Sequence, residues 1–418
     1  MIMQNIKFSK AVSVVLYSIF CYTWVELLGL IYFYFSKGHK NGLYRPYFKL
    51  PLIILIVIFV YSLISCTYFE YDYSKLFQQF GAILLYIYLY SIFFSYARVD
   101  LRQLFIRYIK VSYYVSLLGI VQIAVYYVTN VDIFRAFSWF ESPPMLGANI
   151  IRLRSICPEG GQLGTILAPA FIYCFYFNDS FRILKNKKWI IGIAALLTSA
   201  MTIVVTTIIM LYLKYVSKNK IIDFITLLVL TLGGTVFLIT TISRTEKVTS
   251  SNAGFEGIIM RVQDTTDILL SLDDLDKLED TNSSTYAWAT NFYVARHAPS
   301  RLAGTGLGTH QQNYHSVYKN SNAYSYGLNA EEGYSLLNRI FSEFGYIGLV
   351  LYLFFMIRHL DRKDVISFSL FFYILSAFLR GGNYLIAGVI FFHYFYIISA
   401  YLHSSVDRVI QRCSIAYT

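Results

Sequence analysis

Charge is scarce in this sequence: Asp, Glu, Lys and Arg make up 14% of its 418 residues, against 56% hydrophobic. So little charge does not cover the surface of a soluble domain, and the composition excludes one. Cysteine is scarce as well, and the five at positions 21, 66, 157, 174 and 413 form neither a disulfide framework nor a zinc spacing. No internal repeat or low-complexity tract is present, which argues against a repeat-built transporter. The first apolar run, 11 to 35, has no small-residue cleavage site behind it and is longer than a signal-peptide core, so it is expected to be retained in a membrane.

What the chain has is hydrophobic length. At about 20 residues per crossing, ten apolar runs fall near 11–35, 51–69, 76–96, 107–128, 162–177, 189–213, 221–242, 342–357, 365–379 and 384–402. The expected class is an all-α integral membrane protein. Aromatics reach 18%, with 38 Tyr and 34 Phe, more than two interfacial belts need. The net charge of +11 sits in short loops between apolar runs, where Lys and Arg set topology, so nucleic acid is not an expected partner.

Basic clusters follow the first, third, fifth, sixth and eighth runs, and the positive-inside rule places all of them in the cytoplasm. The sixth run then carries basic residues at both ends, which one crossing cannot satisfy. It is expected to be a hairpin turning near Thr198-Ser199-Ala200. The first run, flanked by Lys10 and Lys37 and holding Glu26, poses the same puzzle. With both hairpins counted as crossings the chain has twelve spans; with one, eleven. This organisation divides the chain into an N-terminal bundle (1–242, with an outer loop at 129–161), a large outer segment (243–341), and C-terminal helices with a cytoplasmic tail (342–418).

Candidate chemistry lies in the outer segments. Arg152 and Arg154 precede a Cys157-Pro158-Glu159-Gly160-Gly161 turn at a helix start, where guanidinium groups and N-terminal amides can hold one anion. In the second segment Arg244, Arg261, Arg296 and Arg301 are spread through a polar region, and Trp288 lies in an aromatic stripe that suits either a sugar face or packing. Gly304, Gly306 and Gly308 form G-x-G-x-G rather than a dinucleotide fingerprint, so they are read as letting the backbone make a tight turn or approach a ligand closely. His310 and His315 follow. Glu332, Arg339 and Glu343, at i, i+7 and i+11, would share one face of a helix descending into the bilayer, with Arg339 and Glu343 able to pair. Arg380 stands in Arg380-Gly381-Gly382-Asn383 between the last two runs. No metal or cofactor site is expected.

These elements resemble a family. Arg152-x-x-Ser155-x-x-x-Glu159 before a middle span, Pro299 followed by the glycine triplet, and Leu337-x-x-x-Phe341-Ser342-Glu343-x-Gly345-x-x-Gly348 are similar to Wzy-type O-antigen polymerases, relatives of the O-antigen ligases. The resemblance implies a GT-C-like fold of about 11–12 transmembrane helices with a large periplasmic loop, in the bacterial inner (cytoplasmic) membrane with the active site facing the periplasm. It implies glycosyl transfer from an undecaprenyl-pyrophosphate-linked oligosaccharide, membrane lipid as surroundings, and a chain-length regulator protein as partner. Arg152, Arg154, Arg261, Arg339 and Arg380 would hold the pyrophosphate. Glu332, ahead of His310 and His315, would be the catalytic base, and Glu159, Trp288 and Glu343 would contact substrate. The sequence departs from the ligases: Asn329-Ala330-Glu331-Glu332 stands where they carry a His-Asn pair, and Thr198-Ser199-Ala200 lacks their arginine. The alternatives are a ligase transferring glycan to lipid A-core and a lipid-linked oligosaccharide flippase.

Overall fold

The computed structural model describes residues 10–38, 45–97, 100–137, 151–198, 200–215, 283–318 and 327–401. The apolar run at 221–242, the acidic stretch Asp273 to Asp280 and Arg261 lie outside them. Among the described residues the protein is all-helical, with no strand. The helices are α1 (Lys10–Ser18), α2 (Thr23–Phe33), α3 (Arg45–Phe69), α4 (Ser74–Ala97), α5 (Leu101–Thr129), α6 (Gly160–Phe175), α7 (Lys188–Leu197), α8 (Met201–Tyr215), α9 (Ser283–His297), α10 (His310–Val317), α11 (Leu336–Arg358), α12 (Val365–Leu379) and α13 (Val389–Tyr401).

Four of them are long and apolar enough to cross a membrane: α3 from Tyr47, α4, α5 and α11. On α3, Ile53, Ile54, Ile56, Val57, Val60 and Ile64 are 45–65% exposed. Water would not tolerate such a face on a monomer, whereas lipid solvates it. The chain is an α-helical membrane protein. Polar residues set the helix starts: Asp100 accepts from Gln103 N–H, Asp364 from Ile366 and Ser367 N–H, and Ser335 from Asn338 N–H, each satisfying donors that a helix N-terminus leaves open.

Helix α6 is the centre. Nearly every residue from Gly160 to Cys174 is buried, and α5, α7, α8 and α12 pack around it. The aromatic surplus fills the core beside it, where Tyr90, Phe93 and Phe94 of α4 meet Phe391, Tyr394 and Phe395 of α13.

The sixth apolar run breaks where its flanking charges require. Helix α7 rises from Trp189, whose ring meets Phe175, and α8 returns so that Lys214 Nζ donates to the Phe175 carbonyl at 3.2 Å. At the opposite end Gly164 lies against Ala200 and Thr198. Both basic clusters therefore come to one end of α6. The first run is also two helices, folded back at 19–22 with Gly29 packed on Ser18 and Val14. The described parts of its arms are Lys10–Ser18 and Thr23–Phe33, the second continued by a π-helical turn at Tyr34–Gly38.

Helix α11 is not continuous. At Gly345 the backbone is non-helical, with φ 61° and ψ −159°, and the freed groups are taken up by the glycine-rich turn. Tyr346 and Ile347 N–H donate to the carbonyls of Arg301 and Leu302 at 2.9 and 3.0 Å, and Gly306 N–H donates to the Glu343 carbonyl at 2.7 Å. Gly304, Gly306 and Gly308 all have positive φ, and a Cβ on Gly304 would stand 2.3 Å from the Glu343 carbonyl oxygen. The triplet is a close approach of backbone to backbone. It leaves Leu336–Phe344 as a separate short helix that carries the polar residues.

Candidate functional site

A cavity of about 170 Å³ opens at the end of the bundle opposite Lys185, Lys187 and Lys214, where α4 and α11 begin. One wall is a polar stripe on α4, Lys75, Gln78, Gln79 and Ala82, at i, i+3, i+4 and i+7 on one helical face. Facing it are Gly308 and Gln311, the turn residues Glu331 and Glu332, Arg339 of α11, and Asn383 and Leu385. Lys75 Nζ pairs with Glu331 Oε1 at 3.2 Å. The α4 stripe was not among the expected site residues; its signal in the sequence was three polar residues at helical spacing opening an apolar run.

Glu332 does not sit on α11. The helix starts at Leu336 with Ser335 as its cap, and Glu332 lies in the preceding turn, where its Oε1 faces Asn383 Nδ2 at 3.5 Å. The shared helical face expected for Glu332, Arg339 and Glu343 is thus corrected, although Glu332 and Arg339 still line the same cavity. Arg339 is held from three sides. Its Nε donates to Glu343 Oε1 at 3.1 Å, its Nη1 to the Gly382 carbonyl at 3.3 Å, and its guanidinium lies 4.5 Å from the Tyr384 ring centroid. Glu343 is fully buried and accepts from Arg339, Gly308 N–H and Tyr384 Oη. It orients Arg339 and is not among the residues lining the cavity, which corrects its expected substrate contact.

His310 is buried and its Nε2 donates to Asn291 Oδ1 at 2.8 Å, the direction being set because Asn291 Nδ2 donates to the Ala287 and Leu328 carbonyls. Burial, helped by the Arg339 cation, pushes its pKa down to about 3. It is a neutral ring wedged beside Gly333 and does not line the cavity. His315 is exposed beside the Tyr314 ring, one helical turn along α10 from Gln311, which lines the cavity. Neither histidine is among the residues lining the cavity. Trp288 stacks on Phe292 at 5.4 Å, and Phe292 meets Phe341. The aromatic stripe packs α9 against α11 rather than lining the cavity.

A second polar group lies at the N-terminus of α6. Arg152 Nε donates to the Thr198 carbonyl at 3.3 Å and its Cβ stands beside Gly160. Arg154 does not join it. It is fully buried, bonded to Asp132 Oδ2 and to the Cys157 carbonyl. Burial raises the Asp132 pKa, but Arg154, Gln122 and the Phe134 N–H outweigh it and hold the carboxyl below its ordinary value. The expected pair of arginines on one anion is therefore corrected: Arg154 ties the outer loop to α5. Arg380 takes its place. Its guanidinium lies on Gly161, 2.7 Å from where a Cβ would stand, and Nη2 meets Glu159 Oε1 at 3.4 Å.

One loop joins the two groups. Gly381 N–H donates to the Tyr334 carbonyl, Gly382 lies so close to the Glu332 carbonyl that a Cβ would be 2.0 Å away, and Asn383 lines the cavity. Arg380 and Asn383 are three residues apart, at most about 10 Å of chain. A cation at the N-terminus of α6 and a carboxylate in a polar cavity are thus joined by one short loop. Compared with protein-family models, curated proteins and solved structures, the chain matches none of them.

Proposed function

We propose that this protein is a surface-polysaccharide polymerase of the Wzy type, a GT-C-like glycosyltransferase in the bacterial inner membrane that joins undecaprenyl-pyrophosphate-linked repeat units on the periplasmic side. The observation that carries the reading is the loop Arg380–Asn383, which sets an anion-binding helix end beside a cavity holding Glu332. The short motifs named above support it, as does the collection of loop lysines at the opposite end, which the positive-inside rule assigns to the cytoplasm. On this reading the outer segment from 243 to the start of α11 is periplasmic.

The donor's pyrophosphate lies at the α6 N-terminus between Arg152 and Arg380, where backbone N–H groups and the helix dipole favour negative charge. An acceptor hydroxyl in the cavity gives its proton to Glu332 as its oxygen attacks the anomeric carbon of the donor. The bond from that carbon to the pyrophosphate oxygen breaks, and the charge left on the lipid pyrophosphate is held by the two arginines. Arg339, fixed by Glu343 and Tyr384, supplies a positive charge to the cavity wall that Glu332 shares. The test is incubation of purified protein with lipid-linked repeat units, followed by separation of products by length. A ladder of products is expected. Unchanged monomeric units would overturn the reading.

A further inference from the structure

Asp100, Asp364 and Ser335 each turn a side-chain oxygen back onto the helix they begin. Glu159 stands at the same position of α6, yet among the described residues its carboxylate makes no such bond. It reaches instead to Arg380, Oε1 to Nη2 at 3.4 Å. This pair differs from the buried ones. Arg154 with Asp132 and Arg339 with Glu343 are at most 5% exposed, whereas Arg380 and Glu159 are 19% and 26% exposed, so a ligand can touch both. Nor does Arg380 need the carboxylate to hold its place. Its guanidinium lies over Gly161, whose added Cβ would stand 2.7 Å from the guanidinium carbon, the Tyr334 ring centroid is 5.8 Å away, and the Arg380 N–H donates to the Ser376 carbonyl. A partly exposed ion pair contributes little to stability. A phosphate, which takes two parallel hydrogen bonds from one guanidinium, outcompetes a single long contact.

Once the bond to the anomeric carbon breaks, the lipid pyrophosphate carries one more ionisable oxygen than the donor did. The arginines that stabilise this charge therefore hold the product more tightly than they held the donor, and release limits the rate unless something competes for the cation. From these observations we propose that Glu159 clears the pyrophosphate site: its carboxylate occupies Arg380 between turnovers, yields that guanidinium to the donor's pyrophosphate, and returns to it as the lipid pyrophosphate product leaves. This rests on the polymerase reading and deepens it, giving Glu159 a part in product release in place of the substrate contact that the resemblance implies. No covalent bond changes in this step, and Glu159 touches neither reacting atom.

The test titrates undecaprenyl pyrophosphate into the full-length protein in detergent, wild type against Glu159→Gln, with the bound fraction counted by native mass spectrometry. Glu159→Gln, which keeps the size and removes the charge, is expected to lower the Kd about tenfold, the scale of one charge-assisted hydrogen bond no longer contested. During elongation the same variant should show a burst of about one linkage per enzyme followed by a slower steady state. Unchanged or weaker binding in Glu159→Gln, or elongation without a burst, overturns the inference and leaves the polymerase reading standing; weaker binding is what a carboxylate that merely orients Arg380 would give. Wild type that binds no undecaprenyl pyrophosphate overturns that reading itself. Should Glu159→Gln not elute as a monodisperse species, Glu159→Asp carries the comparison. Its carboxylate stands one methylene further from Arg380, so tighter binding than wild type is expected by a smaller factor, and unchanged binding overturns the inference.

Discussion

The backbone N–H of Gly306 donates to the carbonyl oxygen of Glu343 across 2.7 Å, joining the glycine-rich turn to the broken end of α11. Two residues on, Gly345 takes a φ of 61°, and a Cβ there would stand 2.4 Å from the Leu302 carbonyl oxygen. The break is thereby fixed by residues about forty positions upstream, and through it the direction of Arg339 and Glu343. Broken helices persist in membrane proteins where other protein groups satisfy the freed backbone.

Gly345→Ala and Gly304→Ala should each destabilise the protein by more than about 1 kcal/mol, since both combine positive φ with a backbone collision. Gly81, inside α4 with open space for 4 Å around the place a Cβ would take, serves as the control. Gly81→Ala should be neutral or stabilising by up to about 1 kcal/mol. Thermal unfolding in detergent distinguishes these outcomes.

Arg154 and Asp132 are 0% and 5% exposed, so removing one leaves the other buried and uncompensated. Arg154→Ala should cost about 3–5 kcal/mol, and the Arg154→Ala, Asp132→Ala double variant should cost less than the sum of the singles. Ladder formation per folded molecule should survive in the double variant. Arg152→Ala and Arg380→Ala should instead suppress ladders with little change in unfolding temperature.

The His310 ring has its pKa moved from 6.5 to about 3, so the folded protein holds it neutral while the unfolded chain takes up a proton below about pH 6.5. Its contribution to stability is complete above that pH and is lost as pH falls from 6.5 toward 3. His310→Gln, which keeps a donor for Asn291, should flatten this part of the stability profile. Unfolding temperatures between pH 7 and pH 4 test it; a parallel profile in the variant would contradict the burial argument.

Sealed membrane vesicles give the topology. Single cysteines at 187 and 214 should label from the same side with an impermeant maleimide, and one at 311 from the other, in a background with Cys413 exchanged for serine. The four described native cysteines are buried. Labelling of 187 and 214 from opposite sides would rule out the hairpin.

Much of this was legible in the sequence because it rests on charge and apolar length. Lysines at both ends of the sixth run located the turn near Thr198 and Ala200, whereas the three alternating glycines, expected to make a tight turn or approach a ligand, pack on protein backbone instead. The partner of Arg154 was not legible, because Asp132 lies 22 residues away and only the fold brings them together. Glu332 was misplaced onto a helix although Ser335, a good cap residue, marked the true start. The break at Gly345 escaped because 342–357 is apolar throughout its later part, and hydropathy reports composition rather than backbone continuity. The α4 stripe escaped because three polar residues at the edge of a spanning helix have the same pattern whether they meet solvent or line a cavity.

The central claim is that Glu332 takes the proton of the acceptor hydroxyl. The most direct test is the initial rate of glycan elongation by purified Glu332→Gln against wild type on lipid-linked repeat units. The account predicts a fall of about a hundred- to ten-thousandfold with an unchanged unfolding temperature; a rate within twofold of wild type would contradict it.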